Sequence, residues 1–247
     1  MPRIGHRTML NMKRSMRFQM ESGDFPVPVL YLKFGENAGI EAKDSSPEGN
    51  DGTIEGASWV NGVIGPGLGF DGDNDYVEID DADELDGFTE GASWEFWMKS
   101  EDITKMENGS WRWMISKYLT TENQRVWAAA LYRVEGETRL RLMISDNGTT
   151  FGFWSKTIDW EDDELHHIVW VWKPGEHPNL YIDGELQTLD ALSTPRDTVY
   201  AGTASVLLGK CGYNPAGRWF EGLLDELLVY DVALTSQQVL KHYYGIE

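Results

Sequence analysis

The side chains with most chemistry to offer are aromatic rings set beside guanidinium and amide groups. Trp59, Trp111, Trp113, Trp154, Tyr213 and Trp219 lie in or beside segments that read as loops. Arg112, Asn123, Gln124, Asn214 and Arg218 are close to them in sequence. Exposed rings of this kind stack on flat apolar surfaces such as sugar faces, while the polar groups take hydroxyls. The competing reading of each ring is core packing, which takes most aromatics in a folded chain. Oxygen ligands come next. Asp71-x-Asp73-x-Asp75 opens like an EF-hand calcium loop, but Tyr76 stands at the glycine position and Ala82 at that of the bidentate Glu. Catalytic groups are harder to find. Retaining glycosidases need two carboxyl groups about 5 Å apart. Glu78-Ile79-Asp80-Asp81-Ala82-Asp83 supplies carboxylates but runs into a turn, and Glu161-Asp162-Asp163-Glu164 reads as a solvated turn. His166 and His167 are adjacent, so on a strand they face opposite ways. His6, His177 and His242 are isolated in sequence. No enzyme is expected.

The elements that must position these residues read as strands. Val29 to Phe34 starts the series, and the segments 76–79, 93–99, 113–117, 127–132, 139–144, 151–156, 167–172, 179–182, 206–208 and 224–230 continue it. Trp94, Phe96 and Met98 alternate with Glu95 and Trp97, the period-2 signature of a strand. Strand-borne Trp94, Trp97, Trp170 and Trp172 are expected in core or inter-sheet packing. Turn chemistry separates the strands at Asp146-Asn147-Gly148, Lys173-Pro174-Gly175 and Asp183-Gly184. Many short strands with few helical patterns predict a sandwich or barrel. One helix is predicted, from Thr235 to Tyr244, opened by a capping box of Thr235 and Gln238.

Charge divides the chain. Its formal net charge is −20, yet residues 1–20 hold Arg3, Arg7, Lys13, Arg14 and Arg17 and no acid. An acidic body is not expected to bind nucleic acid, because phosphate affinity needs clustered Lys and Arg. The basic arm, residues 1–28, ends at Phe25-Pro26-Val27-Pro28. It is expected to dock on an acidic surface, either a protein partner or a second copy. One domain, residues 29–247, follows. The arm has no apolar core of the length a secretory leader needs, and no run approaches a membrane span. Cys211 is alone, which excludes a disulfide framework within one chain.

Four blocks, in order, resemble the laminin-G-like, concanavalin A-type lectin/glucanase jelly-roll family. The first is Phe70-Asp71-Gly72 with Tyr76-Val77. The second runs from Phe88-Thr89 to Trp97, with Ile115-Ser116-Lys117. The third is His166-His167-Ile168-Val169 through Asn179-Leu180-Tyr181-Ile182-Asp183-Gly184, with Leu165 where the family usually has Trp. The fourth is Phe220-Glu221-Gly222 through Tyr230-Asp231 and the helix. The resemblance covers about residues 29–245. It implies an all-β, two-sheet antiparallel jelly-roll sandwich with a short C-terminal helix covering an edge or end. It also implies a structural calcium held by Asp225 with oxygens from the Asp44–Asn50 loop and the Gly72 loop. The alternative is that these are turn residues and that Asp225 caps backbone groups. The one-strand E-x-D-x-x-E motif of the related glucanases is missing.

The function expected is therefore a carbohydrate-binding or adhesion module on a calcium-stabilised jelly roll. Its ligand-binding residues would be Trp59, Trp111, Trp113, Trp154, Tyr213, Trp219 and Arg218, and its partner a glycan or other cell-surface ligand. The alternative is a structural or decoration subunit of a virion or surface layer, docked through its arm. A glycan hydrolase or lyase ranks below both. An extracellular surface or virion is the setting these readings favour.

Overall fold

A computed structural model describes residues 25–212 and 218–245; the five arm cations and Tyr213 lie outside them. Among the described residues there are seventeen strands, the longer of them formed by alternating apolar segments. The first nine are β1 (Leu30–Leu32), β2 (Glu41–Ala42), β3 (Gly52–Glu55), β4 (Ser58–Asn61), β5 (Pro66–Asp71), β6 (Tyr76–Ile79), β7 (Ala92–Ser100), β8 (Trp111–Leu119) and β9 (Gln124–Val134). The rest are β10 (Glu137–Gly148), β11 (Gly152–Ile158), β12 (Leu165–Trp172), β13 (Asn179–Ile182), β14 (Glu185–Gln187), β15 (Ala191–Leu192), β16 (Val206–Leu208) and β17 (Glu221–Tyr230). They make two antiparallel sheets. One has eight strands, ordered β14-β13-β12-β7-β17-β5-β4, with β1 also paired to β17. The other has nine, ordered β15-β11-β10-β9-β8-β16-β6-β3-β2. The two-sheet sandwich expected from the sequence is the fold observed.

The core lies between the sheets. Trp94, Phe96 and Met98 of β7 point into it, as their alternation requires, beside Trp170 and Trp172 of β12. From the nine-stranded sheet come Trp127, Leu131, Leu142 and Trp154. Trp94 and Trp127 meet across the sandwich with ring centroids 5.7 Å apart. Rings of this size remove on the order of 200 Å² each from water, the largest apolar contribution a single side chain makes. Trp154 is thus a core residue with no exposed surface, its indole N–H donating to His177 Nδ1 at 3.1 Å. Expecting it at a ligand was wrong because strand parity turns Trp154 inward and its neighbours Phe153 and Ser155 outward.

The helix α1 (Ser236–Tyr244) starts at Thr235, whose capping box with Gln238 is complete, and ends at Gly245 in left-handed conformation. It covers the outer face of the eight-stranded sheet rather than an edge. Val239 and Leu234 pack there on Tyr31, Val169, Val171, Tyr181, Leu228 and Tyr230. This second core explains why Glu95, on the outward side of β7, is fully buried. Its carboxylate receives His167 Nε2 at 2.9 Å and His242 Nδ1 at 2.7 Å. Burial alone would raise the Glu95 carboxyl; the His242 charge and the two histidine hydrogen bonds outweigh it and hold it at about 2. Phe25 stacks on His242 at 4.3 Å, so packing begins four residues before the domain boundary read from the sequence.

Candidate functional site

The outer face of the nine-stranded sheet carries a cluster separate from the core. Trp113, Tyr118, Ala128, Ala130, Met143 and Cys211 form it, with Trp111 and Phe151 packed alongside. Register explains the assembly. Trp111 pairs Tyr132 and Trp113 pairs Ala130 across β8 and β9, while Arg141 pairs Ala130 and Ser155 across β9–β11. Alanine at 128 and 130 makes room in the middle of the face and the rings close over it, so that both alanines and Trp113 are buried while Trp111 and Tyr132 stay partly exposed. Trp111 lies nearly parallel to Trp113 at 5.2 Å and 4.2 Å from Tyr132. On the β11 side, Phe151 meets both Tyr118 and Phe153, and Phe153 is 38% exposed.

Arg141 lies inside this ring of aromatics. Its guanidinium is 4.5 Å from the Tyr132 ring centroid and 5.2 Å from those of Trp111 and Phe153, and its Nε donates to Ser155 Oγ at 3.0 Å. Small neighbours on both sides, Ala130 and Ser155, leave space for it to lie across the sheet. Burial pushes the guanidinium below its ordinary pKa, with the Arg139 charge adding to the effect and Tyr132 opposing it. Arg125 stands at the other end of the face, 5.7 Å from the Tyr118 ring. Burial raises the Tyr118 hydroxyl, against the charges of Arg125 and Arg218.

The residues expected to bind a ligand therefore divide. Trp111 and Trp113 come together on this platform, and Arg218 acts electrostatically on its Tyr118. Trp219 belongs to a neighbouring group, 6.2 Å from Tyr76, where Lys210 lies 3.1 Å from the Tyr76 centroid and 5.6 Å from that of Trp219. Trp59 is on β4 of the opposite sheet, partly packed on the core, with its indole N–H on Gly39 O at 3.0 Å. Sequence reading missed Tyr118, Tyr132, Phe151, Phe153, Arg125 and Arg141. Parity along β9, β10 and β11 signals Tyr132, Arg141 and Phe153, whereas register shifts between β8 and β9 hide Tyr118 and Arg125, and Phe151 precedes β11.

The expected calcium ligands do not form one set. Asp44 Oδ1 accepts the amides of Tyr31 and Ser46, and its Oδ2 accepts the Asn50 amide and the Ser46 hydroxyl. The Asn50 side-chain amide donates to Glu84. Asp225 is fully buried and accepts the amides of Val63, Ile64 and Glu226. Gly72 follows Asp71, which pairs Glu221. Asp225 is four residues further along β17, roughly 13 Å away. These carboxylates hold backbone turns, and no trio of His, Cys, Asp or Glu converges as a metal group among the described residues. The arrangement does not fit the calcium set that was expected. A shallow groove of about 310 Å³ also opens on the eight-stranded sheet, lined by Val60, Asn61, Asp71 and Lys99. The one ring in its lining, Phe70, belongs to the core.

A match of residues 71–240 to the description "Concanavalin A-like lectin/glucanases superfamily" decides the family. The chain belongs to that superfamily. No curated protein matches its sequence. Solved structures share the fold at low identity. The superfamily member is similar to the binding domain of botulinum neurotoxin serotype D, at 16% identity and TM-score 0.65, covering 89% of this chain and 52% of that one. The binding domain of Paraclostridial Mosquitocidal Protein 1 matches at 14% identity and TM-score 0.66, covering 88% and 52%. The chain thus spans about half the length of these toxin chains. Domain 4 of AbnA, a GH43 extracellular arabinanase from Geobacillus stearothermophilus solved with arabinotriose, matches at 20% identity and TM-score 0.61, covering 88% and 98%.

Proposed function

We infer that this protein is a non-enzymatic carbohydrate-binding module and that the outer face of its nine-stranded sheet is the binding surface. The observation that carries this reading is the platform itself: Trp111, Tyr132 and Phe153 partly exposed above buried Trp113, Ala128 and Ala130, on rigid strands rather than loops. Strands hold such rings at fixed height and spacing, which spares the ordering entropy that a loop-borne site loses on binding. The likeness to a whole arabinanase domain solved with arabinotriose supports a saccharide ligand. The groups ringing Arg141 supply no pair of carboxyls, which a retaining hydrolase needs about 5 Å apart. A panel of polysaccharides in affinity electrophoresis tests the reading. The wild type is expected to be retarded by at least one member and Trp111→Ala to run freely in the same gel; retention unchanged in Trp111→Ala would sink it.

Docking on a larger assembly is compatible with this function. Phe25, where the arm joins the domain, packs on α1 outside the eight-stranded sheet, the side opposite the platform. A subunit anchored by residues 1–24 would present its aromatic face outward.

A further inference from the structure

Arg141 has an unusual position for a cation. It is partly buried among three rings, and among the described residues no carboxylate pairs with it. Its neighbours are differently placed: Arg139 is 3.1 Å from Glu137, and Arg112 is held by Asp102. Arg125 has Tyr118 rather than an acid beside it. A guanidinium withdrawn from water is normally matched by an anion, because the desolvation of an unmatched charge is unfavourable. The absence of a match is notable in a chain of net charge −20. The segment from β8 to β11, residues 111–158, runs against the rest of the protein, with seven Lys and Arg against four Asp and Glu.

Resting on the platform reading above, we propose that the preferred ligand is an acidic saccharide and that Arg141 takes a sugar carboxylate while the surrounding rings stack on the sugar. Three features of the site agree with that ligand. The planar guanidinium fork matches a carboxylate in two parallel hydrogen bonds, a geometry that Lys lacks. The ring contacts and the Ser155 bond fix the fork before binding, so little side-chain entropy remains to be lost. Arg125 lies five residues along β9 from Ala130, the strand partner of Arg141. That is roughly 16 Å, a span that one oligosaccharide lying over the rings can bridge with a second acidic residue.

Calorimetry on the full chain separates the possibilities, using oligogalacturonate, its methyl ester of the same length, a neutral arabino-oligosaccharide and a sulfated dextran oligomer. The free acid is expected to bind roughly tenfold to a hundredfold more tightly than the ester. Arg141→Gln is expected to abolish that preference, acid and ester then binding the variant equally, and Arg141→Lys to recover little of it. Equal affinity for acid and ester in the wild type overturns the inference without needing any variant. So does a preference that survives Arg141→Gln, or a sulfated oligomer binding as tightly as the uronate. Binding of the ester or the arabino-oligosaccharide without an acid preference leaves the platform reading standing. Absence of binding by the whole panel removes this inference, and Trp111→Ala electrophoresis then decides the platform separately.

Discussion

Two buried carboxyls pull the protein's pH dependence in opposite directions. Glu226 sits at the irregularity of β17 with φ 47°, its Oε2 accepting the Tyr31 hydroxyl at 2.5 Å. Burial and the charge of Asp225 push it up to about 8, against that hydrogen bond. The native state therefore holds a proton that the unfolded chain releases near the ordinary value of 4.5. Its stabilising contribution is complete below pH 4.5 and is lost as pH rises toward 8. Glu226→Gln keeps an acceptor for Tyr31 without the ionisation. It is expected to raise stability relative to wild type by roughly 3–4 kcal/mol more at pH 8 than at pH 5, in urea unfolding at both pH values. A uniform effect at the two would contradict the assignment. Glu95 behaves in the opposite sense. Held at about 2, it contributes stability above pH 4.5 that is lost as pH falls through 2. Glu95→Leu leaves His167 and His242 without their acceptor under α1 and is expected to lower stability by about 3 kcal/mol or more in the same assay at pH 7. Neither carboxyl could be placed from the sequence. Alternation put Glu95 on the polar side of β7, and only the helix laid over that side makes the position a buried one.

At the scale of elements, strand parity separates residues that composition treats alike. Trp111 and Trp154 are both tryptophans at strand segments, yet one is on the platform and the other has no exposed surface. Trp154→Ala is expected to lower stability by about 3–5 kcal/mol, and Trp111→Ala by less than half of that, when both are followed by thermal unfolding. Reversal of that order would contradict the placement. The helix was the most legible element, since Thr235 and Gln238 fix its start by chemistry that acts locally. Thr235→Ala is expected to cost about 1 kcal/mol in the same measurement. Most strands from β6 onward were legible too, because their apolar residues alternate, but the short β14 and β15 were not. Nor were short β2, β3 and β4: they hold four residues or fewer, and pairing of β2 with β3, β3 with β6 and β4 with β5, rather than their own sequence, defines them. The platform was legible in two rings only. Its other members are spread over β8 to β11, and register, not sequence proximity, brings them together.

For the whole molecule, the two outer faces have different roles. Helix α1 covers one and closes a second core, while the other presents rings and guanidinium groups. The Asp and Asn residues that resemble a calcium set instead fasten turns on which the sandwich depends, Asp44 at residues 45–50 and Asp225 at residues 62–65. Removal of divalent cations with a chelator is therefore expected to shift Tm by less than about 1 °C, because a metal bound only by the native state would raise Tm measurably. Asp225→Asn is expected to destabilise with and without calcium alike. Turn chemistry and metal ligation use the same residue types, which is why sequence alone left both readings open.

The proposed saccharide site is the outer face of the nine-stranded sheet. Indole N–H resonances of the eleven tryptophans, followed by two-dimensional NMR during titration with a saccharide that the protein retains, test it most directly. Trp111 and Trp113 are expected to shift with ligand while Trp97 and Trp59, on the other sheet, stay in place. Shifts at Trp59 or Trp97 with Trp111 and Trp113 unmoved would contradict the claim.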